Sequence, residues 1–464
     1  MNNNATQSLV IAGLSGGSGK SVVSVGLTGA LSRSGHRVIT FKKGPDYIDA
    51  GWLSTASGTP CYNLDPYLME PEVVAHSFYS HLQGYDYALV EGNRGLYDGV
   101  NPEGGFSTAE LAISLDLPVL LVVNCTKTTR TVAAMVLGCR ELDKRLNIGG
   151  VILNRIATAR HESIIRQAVE RYAGVPVLGI VPKMTKDIFP MRHLGVTPHQ
   201  EYEGTQHAMD ELAALARANF DLEGIDRLMK PLAPLESATS AVEIADDRRI
   251  VKIGIIRDQA FQFYYEENLE ALRRNGAELV TINALSAAAL PDDLDALYIG
   301  GGFPETSAAA LAANGSFRES IRSNAERGLP IYAECGGLIY LGRSIIIEGT
   351  EYPLTDVFPI TFGISEKPQA HGYSTFMVEQ ENPFYPQGME IKGHEFRYST
   401  ITAWEGKSED LALEIKRGTG FRDKRDGLCK NNVLALYTHV LAPGTPAWSK
   451  GMITAAQRYR LSKD

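Results

Sequence analysis

The sequence predicts an α/β protein of two domains, each a mostly parallel sheet with helices on both faces. Three observations predict it. The chain has 464 residues, enough to bury two full cores. Short apolar runs alternate with helical apolar patterns along both halves, as parallel strands joined by crossover helices do. From about 221 to 248 the alternation weakens into DLEGIDRLMKPLAPLESATSAVEIADD, whose prolines, small residues and charges suit an interdomain connection. The expected division is 1–220, a linker at 221–248, and 249–464.

Composition narrows the function classes. Hydrophobic content of 44% and charged content of 21% are ordinary for a globular protein. A net charge of −9 argues against a nucleic-acid partner, which calls for a basic surface. The five cysteines are scattered and none forms a CxxC pair, so neither a zinc site nor a disulfide framework is expected. This suggests a reducing cytoplasm. MNNNATQSLVIAG has no basic region leading into a long apolar core, so no signal peptide is expected. The longest apolar run, LPVLLVV at 117–123, is too short to span a bilayer, so no membrane role is expected.

In the first half, the apolar run SLVIAGL (8–14) leads into SGGSGKS (15–21), and a helical pattern continues to Ser34. Strand, glycine-rich turn, helix is the context in which a phosphate loop works. The N–H groups of Gly16, Gly17, Ser18 and Gly19 would cradle the phosphates of ATP. Lys20 would reach the β and γ oxygens, and the Ser21 hydroxyl would bind Mg²⁺. Gly13 leaves five residues before Gly19-Lys20, one more than the usual spacing. HRVITFKK (36–43) reads as a second strand, and GPDYIDAGW places Asp46 and Asp49 at its C-terminal edge, where open α/β sheets bind ligands. DYALVEG (86–92) reads as a third strand ending at Glu91, followed by NRGLYDG with Asp98. Acids at such strand ends, beside a phosphate loop, read as metal and substrate ligands, with Asp46 and Glu91 as metal ligands. Further strands are PVLLVVNCTK (118–127), GGVILNR (149–155) and PVLGIVP (176–182), with a helix at about 161–173. Asn154 ends its strand, where its amide can read an adenine edge or serve as an ordinary loop residue.

In the second half, RIVKIGIIRD restarts a strand at about 249–257. A helix at 265–275 and the strand ELVTIN follow. DALYIGGGFPE (295–305) is a strand ending in three glycines. PIYAECGGLIYL (330–341) is a short apolar strand that stops at Glu334-Cys335-Gly336-Gly337 before a helical pattern. A strand turning sharply into a helix lifts one side chain out of the backbone, which is the geometry of a nucleophile elbow. The amides of Gly301, Gly302 and Gly336 can form an oxyanion hole beside Cys335. NNVLALYTHVLAPG (431–444) carries His439 at the end of an apolar run, so its ring can serve Cys335 as general base. His394 in IKGHEFRYS (391–399) competes for that role.

Taken in order, nine stretches resemble the cobyrinic acid a,c-diamide synthase family of corrinoid-pathway amidotransferases. They are GLSGGSGKS, KKGPDYIDAGW, EGNRGLYDG, RHLG at 192–195, RDQAFQFYYEENLE, YIGGGFPE, YAECGGLIYL, GHEFRYS and YTHV, and they span nearly the whole chain. The unusual phosphate-loop spacing is shared with that family and with the similar dethiobiotin synthetases. The resemblance implies an N-terminal P-loop synthetase domain and a C-terminal glutaminase domain of the class I amidotransferase type. It implies Cys335 as nucleophile, His439 as its activating histidine, and Lys20 and Ser21 in the ATP loop. Tyr47, Ile48, Glu91 and Asp98 match synthetase-site positions, with Tyr47, Ile48 and Asp98 facing the substrate. One departure concerns the glutaminase. Many class I enzymes carry a glutamate two residues after the histidine, where this chain has Leu441, so the group that orients His439 is left open.

The activity so implied is a glutamine- and ATP-dependent amidation of the a and c acetate side chains of cobyrinate. Glutamine and the tetrapyrrole carboxylate are the partners, Mg²⁺ accompanies ATP, and a homodimer is the candidate assembly. Related enzymes amidate sirohydrochlorin, its nickel complex or sirohaem, and no residue separates these substrates. Two readings from other classes are a partitioning-type ATPase switch, which needs no Cys335, and a tetrapyrrole-binding sensor that releases no glutamate.

Overall fold

A computed structural model of the chain describes residues 5–184, 191–192, 195–196, 200, 202, 204–235 and 250–463. The chain divides into two compact units, Met1–Thr239 and Ser240–Asp464. Part of the RHLG stretch and residues 236–249 lie outside the described residues.

The first unit is built on a parallel sheet. Its strands lie in the order Cys61–Leu64, Val38–Lys43, Tyr87–Glu91, Thr6–Gly13, Val119–Asn124, Ile148–Ile156, Val177–Pro182. Leu9, Val10, Ile11 and Ala12 are all fully buried, as a central strand covered on both faces requires. The strand order reverses beside Thr6–Gly13, and the helix Lys20–Arg33 begins directly after its glycine-rich turn. That is where an open α/β sheet offers its ligand crevice. The helix at 161–173 is Ala159–Ala168 continued by a π turn, Val169–Ala173. The stretch expected to be linker is structured at its start. Leu222–Leu228 is helical, and Lys230–Leu232 pairs antiparallel with Thr6–Ser8. Ile225 and Met229 explain this, because they pack into the first unit's core, and Leu232 is buried on the paired strand.

The second unit has a nine-stranded sheet. Five strands are parallel, in the order Ala277–Ile282, Val251–Ile256, Ala296–Ile299, Ile331–Glu334, Val433–Leu436. Four antiparallel strands extend it: Arg425–Lys430, Leu411–Arg417, Ala370–Val378 and Glu390–Arg397. The strand before the elbow lies inside the sheet, between Ala296–Ile299 and Val433–Leu436, and Ile331, Tyr332 and Ala333 are fully buried. The helix Pro446–Lys463 starts with a proline, which fits a first turn whose N–H has no partner to lose. It packs Trp448, Met452 and Ala456, spaced by four, against the parallel half.

Candidate active sites

In the first unit the phosphate loop is held open by its own backbone. Gly17 and Gly19 have φ of 72° and 94°, which only glycine adopts freely. Ser18 accepts from the Ser15 N–H through Oγ at 2.9 Å, closing the turn. The Lys20 ammonium donates to the Arg94 carbonyl at 2.6 Å, tying the loop to the segment after Glu91. Burial and the neighbouring Lys42 charge push Lys20 below the usual lysine range.

Ser21, Asp49 and Glu91 converge. Ser21 Oγ lies 3.2 Å from Asp49 Oδ1 and 3.3 Å from Glu91 Oε1. Lys42 joins them, with Nζ 2.6 Å from Asp49 Oδ2 and 2.8 Å from Glu91 Oε1. Burial would lower the Lys42 pKa, but the carboxylates of Asp49, Glu91 and Asp46 hold it above the usual range. Burial raises Glu91 to about 7 against the opposing pull of Lys42. Glu91 Oε2 is buried without a hydrogen-bond partner among the described residues. An oxygen left bare in this position fits a hard cation. No three His, Cys, Asp or Glu side chains among the described residues form a metal cage. Two carboxylates and a hydroxyl instead fit Mg²⁺, which keeps waters and shares nucleotide oxygens.

Several residues expected at this site take backbone roles. Asp46 Oδ1 accepts from the N–H groups of Ile48 and Asp49, shaping the turn that starts the helix Ile48–Ser57. Asp49 rather than Asp46 therefore meets Ser21 and Glu91. Tyr47 is the N-cap of that helix and Ile48 its first residue. Asp98 Oδ2 accepts from Gly95 N–H at 2.9 Å, while Leu96 N–H donates to the Gly13 carbonyl at 2.7 Å. Asp98 thus fastens a loop that lies along the phosphate turn. The Asn154 amide donates to the Ser18 carbonyl at 2.8 Å, and its oxygen accepts from the Arg155 N–H. It braces the phosphate loop instead of presenting both groups to a base. Sequence reasoning reads Asp49 as a metal or substrate ligand beside Asp46, whereas it does not single out Lys42. The available signal was a lysine inside a wholly buried strand, since a buried ammonium requires acidic partners.

In the second unit the elbow forms as expected. Ile331–Glu334 is the strand and Gly336–Tyr340 the helical turn, with Cys335 between them at φ 48° and ψ −98°. The Cys335 N–H donates to the Leu436 carbonyl at 2.8 Å, so the elbow is pinned to the strand that leads to His439. Cys335 Sγ lies 3.7 Å from the Phe396 carbonyl, so GHEFRYS lines the thiol as well. Cys335 and His439 are hydrogen-bonded through their side chains. Burial would lower His439, yet contact with Cys335 and Glu334 raises it to about 10. His394 meets His439 through paired backbone bonds, N–H to carbonyl at 3.0 and 2.8 Å, with the rings stacked 5.8 Å apart. Burial and the neighbouring His439 hold His394 well below the usual range.

The three glycines expected at the oxyanion site gather here. A Cβ on Gly301 would stand 2.5 Å from His439 Cε1, so only glycine lets the ring approach. A Cβ on Gly336 would stand 2.9 Å from the Gly302 nitrogen, so the two backbones touch at the elbow. The unforeseen neighbour is Glu334. Its Oε2 lies 3.4 Å from His439 Nδ1.

Two family models match the chain. Residues 9–194 match the CobQ/CobB/MinD/ParA nucleotide binding domain, and residues 252–446 the CobB/CobQ-like glutamine amidotransferase domain. Among curated relatives, the cobyrinate a,c-diamide synthase of Magnetococcus marinus is 41% identical over 437 residues, covering 93% of each chain. That of Archaeoglobus fulgidus is 40% identical over 435 residues, again 93% of each. That of Dehalococcoides mccartyi strain CBDB1 is 37% identical over 463 residues, 98% of each. No helix among the described residues is long and apolar enough to cross a membrane.

Proposed function

The chain belongs to the cobyrinate a,c-diamide synthase family, and we propose that it amidates the a and c acetate side chains of cobyrinate with ATP and glutamine. The observation that carries this reading is the pairing, in one chain, of a phosphate loop facing a carboxylate cluster with a Cys–His elbow.

At the elbow, the Cys335 thiolate attacks the side-chain carbonyl carbon of glutamine. The Gly301, Gly302 and Gly336 amides receive the developing oxyanion. His439 gives its proton to the departing nitrogen, so ammonia leaves and a γ-glutamyl thioester remains. Water, deprotonated by the same imidazole, then cleaves the thioester to glutamate and restores the thiolate.

At the phosphate loop, an acetate oxygen of the macrocycle takes the γ-phosphoryl group of ATP, giving an acyl phosphate and ADP. A carboxylate is a poor electrophile, and this step supplies a leaving group. Ammonia then adds to the acyl carbon and phosphate departs, leaving the amide. Lys20 compensates charge on the transferring group, and the loop amides orient it. Ser21, Asp49 and Glu91 would hold Mg²⁺, which when bound neutralises phosphate charge. Two acetates are processed, one after the other.

Incubation with ATP, Mg²⁺, glutamine and cobyrinate, beside sirohydrochlorin and its nickel complex, tests the reading by mass. One and then two amidations of cobyrinate are expected. Amidation confined to another macrocycle overturns the substrate, and none on any macrocycle overturns the activity.

A further inference from the structure

We infer that Glu334, the residue before the nucleophile, is the carboxylate that fixes His439 in position against Cys335. This rests on the glutaminase reading above and goes beyond it, because Leu441, at the position that commonly supplies this carboxylate, is a buried apolar side chain.

The geometry carries the argument. Glu334 and His439 are 0% and 2% exposed, so the pair is shielded from bulk solvent. Glu334 Oε1 accepts from the Val440 N–H at 3.2 Å, which ties it to the backbone just after the histidine. Glu334 Oε2 accepts from the Tyr298 hydroxyl at 3.1 Å and faces His439 Nδ1 at 3.4 Å. A carboxylate at Nδ1 requires the proton on that nitrogen, which leaves Nε2 for the thiol. A separation of 3.4 Å is long for this bond, as catalytic hydrogen bonds often are before substrate is bound. The elbow makes the arrangement compact: two consecutive residues serve the two ends of one imidazole.

The surroundings leave the carboxylate to this task. Around Glu334 stand the hydroxyls of Tyr298, Tyr264, Tyr332 and Tyr385, all pushed up by burial. The ring of His439 also faces Cys335 and His394, and His371 stands beyond His394. Among the described residues, His439 is the only basic side chain ion-paired with Glu334. The carboxylate therefore favours the imidazolium form of His439, against the opposing effect of burial. Glu334 acts through His439 and does not touch the reacting atoms, so it is a positioning residue.

The test measures Cys335 alkylation by iodoacetamide against pH in the full-length wild type, Glu334→Gln and Glu334→Asp. Removing the carboxylate weakens the imidazolium, so the alkylation midpoint should rise by about one pH unit or more, a tenfold loss of thiolate at a fixed pH below the midpoint. Glutamate release should fall about 10²-fold or more. Glu334→Asp keeps the charge on a shorter arm, so its midpoint should fall between the two. Where Glu334→Gln fails to fold, Glu334→Asp alone decides by the same midpoint. An unchanged midpoint in every folded variant overturns the assignment. Ammonia-driven amidation in the wild type is the separate arm. Its absence counts against the functional reading and leaves the alkylation result standing, because alkylation reads the cysteine pair alone.

Discussion

At Cys335 the backbone takes φ 48° and ψ −98°, outside the regions open to a residue with a side chain. Such strain is worth about 1–3 kcal/mol and persists where the surroundings over-determine it. Here the Leu436 carbonyl fixes the Cys335 N–H, and the adjoining elbow backbone touches Gly302. Replacing the thiol by Ala removes the chemistry and keeps the strain, whereas Gly relieves it at some cost in unfolded-state entropy. Cys335→Gly should therefore unfold at higher urea than Cys335→Ala, by about 1 kcal/mol, while both release no glutamate. Equal midpoints would show the elbow to be relaxed. The two histidines separate on the same scale. His439 is bonded to the thiol, and His394 reaches His439 by backbone bonds and ring stacking. His439→Asn should lower glutamate release about 10²–10⁴-fold, with a much smaller loss in His394→Asn. A slower His394→Asn enzyme would reverse the assignment of the base.

Among the elements, the antiparallel extension carries its own pH dependence. Asp426, on the strand Arg425–Lys430, is fully buried and accepts from the N–H groups of Tyr437 and Gly427. Burial and then the nearby Glu395 charge raise it to about 7. The folded state thus keeps a proton from the ordinary aspartate range up to about pH 7 that the unfolded chain has lost. Stability falls as pH rises through that window, and the penalty is complete above it. Asp426→Asn removes this charge, so urea unfolding at pH 5 and pH 8 should differ less in the variant, with the variant the more stable at pH 8. A variant as pH-dependent as the wild type would exclude Asp426 as the source. Elements of this kind also mark where the sequence stops being legible. The phosphate loop, the elbow and the parallel strands show in the sequence because each is local: a glycine turn, an apolar run, a helical period. Lys42 with Glu91 and Glu334 with His439 join residues far apart in the chain, and no local period brings such partners together. The helix Leu222–Leu228 was hidden for a different reason, because the prolines that follow it gave the stretch the composition of a linker.

For the whole molecule, the two units contribute different halves of one reaction, and nitrogen source separates them. Each unit has its own sheet and core, and each candidate site is assembled within one unit. Lys20, Ser21, Lys42, Asp49 and Glu91 fall in the first unit. Glu334, Cys335 and His439 fall in the second. On the proposed mechanism, loss of Cys335 removes the internal source of ammonia and leaves acyl phosphate chemistry untouched. Cys335→Ala should therefore fail with glutamine and amidate near the wild-type rate with ammonium salts, measured by mass of the macrocycle. On the same mechanism, loss of Lys20 removes the cation that compensates charge on the transferring phosphoryl group, and no nitrogen source replaces that. Lys20→Ala should fail with glutamine and with ammonia alike, while still releasing glutamate when glutamine is supplied alone. Opposite patterns in the two variants follow only if ammonia release and carboxylate activation use separate side chains. Wild-type amidation by Lys20→Ala with ammonia would remove the phosphate loop from the mechanism. Failure of Cys335→Ala with ammonia, in a chain that folds and binds ATP, would mean that the thiol serves both halves.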